Sequence, residues 1–440
     1  MASVQITDVV VQFVACHWVH VLGCVVLFLG TYRWVKREIR APYPPSALLV
    51  PSTSTYPSMV YTTRHKIPAQ QFVDDLLQGR IELRDAQSGQ GMARIADVVS
   101  FRLDLVLAWR VLRTFMLTAH SEHSDRRSIE QYVLASDSLL EEILGPDRLP
   151  LVGYIREGVP DQLESSLRIQ MQRVASEYLD LNADDRLLDI NAQWGDLAVY
   201  LAHDFQVPTC AIVATSSQLA HATNLTGESQ VQRFLRFIMG DYRAIEECLP
   251  PGVPLFTKVI ALDALDMVGS RNIPVLLRLL YAAMEVDGRL LLQVTSTPSS
   301  LGSRPTAAFS QKPLECDGPE DDGIIHVRGG GEWAEHWWYH WFRQHYIQPG
   351  ADTSMLISVE QVMAELQKAG FEVLQVESLT ADAALTTAIW CNRLCASKRQ
   401  IEVELGEDIY RTWELYLNWT QSMYARARLH KHFILAVKRF

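Results

Sequence analysis

The chain has 440 residues, 48% of them apolar and 21% charged, which is enough to bury a large core and excludes a disordered, collagen-like or disulfide-scaffold protein. Its 40 Lys and Arg against 51 Asp and Glu leave a net charge of −11, a surface that repels phosphate backbones and so disfavours general nucleic-acid binding. The seven cysteines are odd in number and irregularly spaced, which builds no disulfide framework.

Val9 to Tyr32 is a run of 24 residues without Asp, Glu, Lys or Arg. As a helix it spans roughly 36 Å, against about 30 Å of bilayer hydrocarbon. Asp8 precedes it, and Arg33, Lys36, Arg37 and Arg40 come after it. The positive-inside bias then places the rest of the chain on the cytosolic side. Met1 to Asp8 carries no basic n-region and no A-x-A site comes after the run, which disfavours a cleaved signal peptide. Residues 1–40 are therefore expected to be a single-pass transmembrane anchor, with a buried hydrophobic helix as the alternative. Residues 41–60 are proline-rich and read as a semi-rigid linker. From 61 to 165 the pattern is largely helical: Phe101, Leu105, Ala108 and Leu112 recur at helical spacing, and Ser136 to Ile143 is amphipathic. This stretch is expected to form a helical cap over a catalytic body at 166–440.

From 180 onward strands and helices alternate. Strands are expected at Arg186–Ile190, Thr209–Ala214, Val259–Leu262 and Arg289–Val294. Helices are expected at Gly195–Ala202, from Gln218, and at Ile273–Met284. Such alternation implies an α/β fold with a parallel sheet covered on both faces. Ligands of such sheets sit beyond the carboxyl ends of the strands, so the loops starting at Asn191, Thr215, Asp263 and Thr295 should rim the site. Residues 295–332 hold four prolines, the acidic run Glu320 to Asp322 and Gly329 to Gly331, and read as a lid. Directly after it come Trp333, Trp337, Trp338, Tyr339, Trp341, Phe342 and Tyr346. They form either the core of a subdomain, or an apolar wall for a greasy substrate, or a surface touching the bilayer. His336 and His340 have the i, i+4 spacing of a metal pair, but no motif supplies further ligands and no metal is assigned. H-E-x-x-H, G-x-S-x-G and P-loop motifs are missing from the sequence.

From about residue 125 the chain resembles the cyclopropane-fatty-acyl-phospholipid and mycolic acid cyclopropane synthases, and also the fungal sphingolipid methyltransferases of the same superfamily. The family's H-Y-D-L-G-N-D-F-Y is matched by Q-Y-V-L-A-S-D-S-L at Gln131–Leu139, and its L-D-I-G-C-G-W-G by L-D-I-N-A-Q-W-G at Leu188–Gly195. Q-D-Y-R corresponds to G-D-Y-R at Gly240–Arg243, F-E-H-V-G to L-D-M-V-G at Leu265–Gly269, and Y-I-F-P-N-G to the shorter Y-I-Q-P-G at Tyr346–Gly350. C-terminal patterns return at Trp413–Asn418 and Tyr424–Arg428. The resemblance implies a Rossmann-like class I S-adenosylmethionine (SAM) methyltransferase fold.

By that resemblance, Asp189, Asn191 and Gly195 form the cofactor turn, Thr215 and Gln218 lie near the ribose, and Asp241 and Tyr242 lie against the adenine. The first two glycines of the turn are Asn191 and Gln193 here. Asn enters the left-handed region at modest cost, whereas Gln193 puts a long side chain where the cofactor would pass. In the family a bicarbonate base is held by a Cys, a Glu, a His and a Tyr. The matching positions are Val152, Asp266, Gln293 and Tyr346, so cyclopropane formation is not expected, and Asp266 and Tyr346 remain as candidate catalytic residues. Three readings are open. The first is a membrane-anchored SAM-dependent C-methyltransferase acting on a hydrophobic lipid or natural product. The second is a cyclase of the same fold that transfers no methyl group, and the third is a non-catalytic lipid or partner binder.

Overall fold

The computed structural model describes residues 67–78, 99–100, 137–145, 148–155, 163–229, 231–249, 252, 254–268, 272–298, 330–347 and 357–440. All of them belong to one compact unit, Thr62–Arg102 together with Val111–Phe440. The expected anchor at Val9–Tyr32, the linker, the helical stretch around Phe101 and most of the expected lid lie outside the described residues. Among the described residues no helix is long and apolar enough to cross a membrane.

A two-residue parallel pair, β1 (Ile67–Pro68) with β2 (Val99–Ser100), precedes the main sheet. The main sheet has seven strands: β3 (Leu187–Asp189), β4 (Thr209–Val213), β5 (Leu235–Met239), β6 (Phe256–Leu262), β7 (Met284–Ser296), β8 (Phe371–Ser378) and β9 (His430–Lys438). Their spatial order is β5-β4-β3-β6-β7-β9-β8. The strands from β3 to β7 run parallel, and β9 inserts antiparallel between β7 and β8. The order reverses at β3, whose neighbours are β4 and β6, and the crevice at that switch point is where α/β sheets bind ligands.

The central strands are legible as apolar runs because both of their faces are covered. β4 is buried at every position, and β6 at all but one. One face packs on the helices Ile273–Ala283 and Val359–Lys368, where Leu276, Leu277, Leu280, Val362 and Leu366 are fully buried. Burying each such Leu contributes about 1.5–3 kcal/mol. Ala198, Val199 and Ala202, from the helix Asp196–Phe205, pack on Ala211, Val213 and Leu235 in a second core cluster. The strand and helix expectations from 186 to 294 agree with these elements to within a few residues, the largest extension being β7.

The helical layer beside the strand ends draws on both halves of the chain. Helix Asp137–Leu144 and the extended segment 148–155 lean on helix Thr380–Ala396. Gly153 N–H donates to Thr386 Oγ1 (3.1 Å), Ile155 N–H to Asp382 Oδ1 (2.9 Å), and Arg393 to the Leu144 carbonyl (2.8 Å). Helix Glu407–Ala425 continues this layer and packs against the aromatic helix Gly330–Phe342. The rings of Tyr339 and Phe342 lie 5.7 and 6.0 Å from that of Trp419. Trp338, Trp341 and Phe342 are core residues, while the equally buried Tyr339 also lines a cavity, so the segment is both a packed core and part of a wall.

Candidate active site

Two cavities open beyond the carboxyl ends of the strands. The smaller, about 30 Å³, lies between the β3 loop (Ile190, Asn191), the end of β4 (Ile212, Ala214) and the turn at Gly240–Tyr242. The larger, about 150 Å³, has an apolar wall that includes Leu140, Ile143, Val152, Trp390 and Leu417. Gln193, Trp194 and Gln218 also line it, bringing the cofactor-type loop to its side. Met267 belongs to both linings, so the two spaces are adjacent.

The loop after β3 is set by two left-handed positions, Gln193 at φ +52° and Gly195 at φ +93°. A Cβ on Gly195 would come within 2.8 Å of the Phe237 ring and 2.9 Å of the Ala222 methyl, so the tight turn needs glycine there. Asn191 takes no left-handed φ; its side chain donates to the Leu262 carbonyl (2.8 Å) and ties the loop to β6. Asp189 is 2% exposed and accepts from the Asn191 backbone N–H (3.1 Å). Burial pushes its carboxyl up to about 7, opposed by that single hydrogen bond. It lines neither cavity, so it stabilises the turn from beneath.

Asp241 caps the 3-10 turn Tyr242–Cys248, accepting from Arg243 N–H (2.8 Å) and from the Arg243 guanidinium. Asp241 and the buried Tyr242 both line the smaller cavity. Thr215 and Gln218 fasten the start of helix Ser216–Ser229: Gln218 Oε1 accepts from Ala214 N–H (3.0 Å), and Gln218 N–H faces Thr215 Oγ1 at 3.3 Å. Gln218 reaches the larger cavity, whereas Thr215 lines neither.

The candidate catalytic residues separate. Asp266, on the short helix Ala264–Val268, lines the larger cavity. Burial raises its carboxyl above the ordinary range, with Lys431 opposing that shift and Asp263 adding to it. Tyr346 is not brought to it. The residue sits in a π-helical turn, Arg343–Ile347, is 38% exposed and lines neither cavity. Its ring packs instead on Trp341 and Phe342. A π turn widens the helix and shifts the face on which later side chains emerge, which motif spacing does not register. Of the other carried-over positions, Val152 lines the larger cavity, while Gln293 is fully buried and donates to Asp263 Oδ2 (3.1 Å).

Sequence reasoning brought the loops starting at Asp263 and Thr295 to the site but missed Lys431 and Tyr424, which complete the polar floor of the larger cavity. Asp263, at φ +56°, accepts from Lys431 Nζ at 2.5 Å; Lys431 also donates to Thr295 Oγ1 (2.9 Å), and Thr295 Oγ1 lies 3.5 Å from the Tyr424 hydroxyl. Burial would lower the Lys431 ammonium, but Asp263, Tyr424 and Asp266 together hold it above its usual value. Arg343 adds a second cation to the wall. The available signal for Lys431 was a lysine set at the start of the apolar strand H-K-H-F-I-L-A-V. Among the described residues no group of three or more His, Cys, Asp or Glu side chains is arranged to hold a metal ion.

Residues 121–433 match the family model described as mycolic acid cyclopropane synthetase. The chain belongs to this family. Among similar proteins is sphingolipid C9-methyltransferase 2 of Gibberella zeae, 21% identical over 363 residues, an alignment covering 82% of this chain and 62% of that protein. This chain thus spans about three fifths of that relative's length. A probable fatty acid methyltransferase of Pseudomonas putida is 25% identical over 73% of this chain and 71% of its own. Among solved structures, mycolic acid cyclopropane synthase CmaA1, complexed with SAH and CTAB, superposes with a TM-score of 0.59 at 19% identity, covering 73% of this chain and all of the other. That likeness establishes the fold.

Proposed function

We propose that this family member is a SAM-dependent C-methyltransferase acting on a hydrophobic lipid or natural-product substrate. The observation that carries the reading is the adjacency of a small slot and a larger apolar cavity across Met267. A sulfonium cofactor seated in the slot would thereby face a greasy acceptor. The residues present fit such a cofactor. Asp241 offers a carboxylate to an exocyclic amine, and Ile190, Ile212 and Val268 offer apolar surface to a planar ring. The glycine turn at Gly195 keeps the loop close to the sheet. Asp241 and Tyr242 would hold the adenine end, with Asn191 and Gln218 along the path toward the larger cavity. When bound, the cofactor supplies an electrophilic methyl group. Leu140, Ile143, Val152 and Leu417 desolvate an alkyl tail and exclude water, and Asp266 is placed to take a proton.

Calorimetric titration of the full chain with SAM tests the reading. Micromolar affinity and methyl transfer to a lipid extract are expected, and replacing Gln193 with Gly should tighten binding. One observation favours a second reading: Gln193, in a left-handed conformation, occupies the wall between loop and cavity. If the wild-type chain binds no SAM while Gln193→Gly does, the first reading fails. The cavity then serves a cyclisation by holding one reactive conformer. We further propose that Val9–Tyr32 anchors the chain in a membrane with its body on the cytosolic side, a reading supported by the uncharged run and its basic flank.

A further inference from the structure

The floor of the larger cavity presents hydrogen-bond donors that a plain hydrocarbon acceptor would leave unused. Lys431 is 6% exposed and commits two of its three N–H bonds, to Asp263 and Thr295, among the described residues. Its Nζ lies 4.0 Å from Asp266 Oδ2. The Tyr424 hydroxyl converges on the same Thr295 oxygen. Asp266 thus faces Lys431 from β9, Arg343 from the π turn, Asp263 from the end of β6, and Thr295, whose backbone N–H lies 3.4 Å from Asp266 Oδ1. Asp263, which fixes Lys431, is itself held by Gln293 and by a left-handed backbone that a non-glycine residue adopts only under constraint. An alkene seated here would oppose hydrocarbon to an ammonium, a hydroxyl and a carboxylate, which is unfavourable.

We infer that the acceptor belongs to the 1,3-dicarbonyl class with an apolar tail, its oxygen received by Lys431 and Tyr424 and its central C–H proton taken by Asp266. A C–H flanked by two carbonyls is acidic enough for a carboxylate base, whereas an isolated alkene has no such proton. In the step the C–H bond breaks, its proton forms an O–H bond on Asp266, and its electron pair passes to the enolate oxygen. The charge of the floor is unchanged, because the negative charge moves from Asp266 to the substrate oxygen beside Lys431. Methylation of the enolate carbon rests on the methyl-transfer reading: a bound sulfonium would supply the methyl group for the new C–C bond and leave as its thioether.

The test uses the full chain, without SAM, and a 1,3-diketone with a long alkyl tail at slightly alkaline pH. Binding is expected to raise the near-ultraviolet absorption of the enolate without releasing a proton to the buffer. Lys431→Met should weaken the probe by about tenfold or more and abolish the band. Tyr424→Phe should weaken it in the same direction by a smaller factor. In Asp266→Asn the proton must go to the buffer, so affinity should rise about tenfold per pH unit. The inference is overturned if an oxygen-free alkene of equal length binds as tightly as the diketone, if the diketone binds with no enolate band, or if both Lys431→Met and Tyr424→Phe leave the band intact. A chain that binds SAM but fails these tests overturns this inference alone. One that forms the enolate but binds no SAM overturns the methyl-transfer reading alone.

Discussion

Asp189 shows how one buried side chain couples the site to stability. Its carboxyl, pushed up to about 7 by burial, stays protonated in the folded chain at pH values where the unfolded chain has already ionised. Between the ordinary Asp value and about 7 the folded state therefore binds more protons, and stability falls as pH rises through that interval. Asp189→Asn keeps an oxygen for the Asn191 N–H and removes the titration. Urea unfolding of both proteins at about pH 4 and about pH 8 should show the wild type losing ground to the variant at the higher pH. Parallel loss in the two proteins would assign the effect elsewhere. Asn191, Asp263 and Thr295 were readable as residues of loops at strand ends because the parallel topology dictates where those loops lie, whereas Asp241 came from the family resemblance. Lys431 and Tyr424 were not readable, because they meet Asp263 and Thr295 only through contacts between segments more than a hundred residues apart.

At the scale of elements, the helical layer is fastened by specific pairs. Arg426, at the end of helix Glu407–Ala425, donates through both terminal nitrogens to Glu335 of helix Gly330–Phe342. Glu335 is 4% exposed, so Arg426→Ala would strand a buried carboxylate. That variant is expected to lose about 3 kcal/mol in urea unfolding, and Arg426→Met/Glu335→Leu should recover most of the loss. If the single variant unfolds like the wild type, the pair contributes nothing to holding these helices together. The aromatic helix illustrates how far spacing can be read. Rings are buried at His336 and at every position from Trp338 to Phe342, more than one helix face can account for, and the π turn at Arg343–Ile347 carries the Tyr346 ring away from both cavities.

At the scale of the molecule, the proposed anchor makes a separate claim. The full-length chain is expected in the membrane fraction and resistant to alkaline carbonate. Leu22→Arg with Val25→Arg should release it, since each charge costs about 2.5–3.5 kcal/mol near the centre of a span. Release of the wild type by carbonate would sink the anchor.

The sequence by itself determined the alternation of strands and helices, since a strand buried on both faces has to be an apolar run, and a helix packed on one face has to repeat its apolar residues. It also carried the motifs that place the chain in its family. Only the tertiary structure decided which polar groups share the cavity. β9 enters antiparallel beside β7, with Lys431 in register with Thr295, and so brings an ammonium to two aspartates far away in sequence. Register between distant strands is fixed by packing of the whole sheet, and no local pattern contains it.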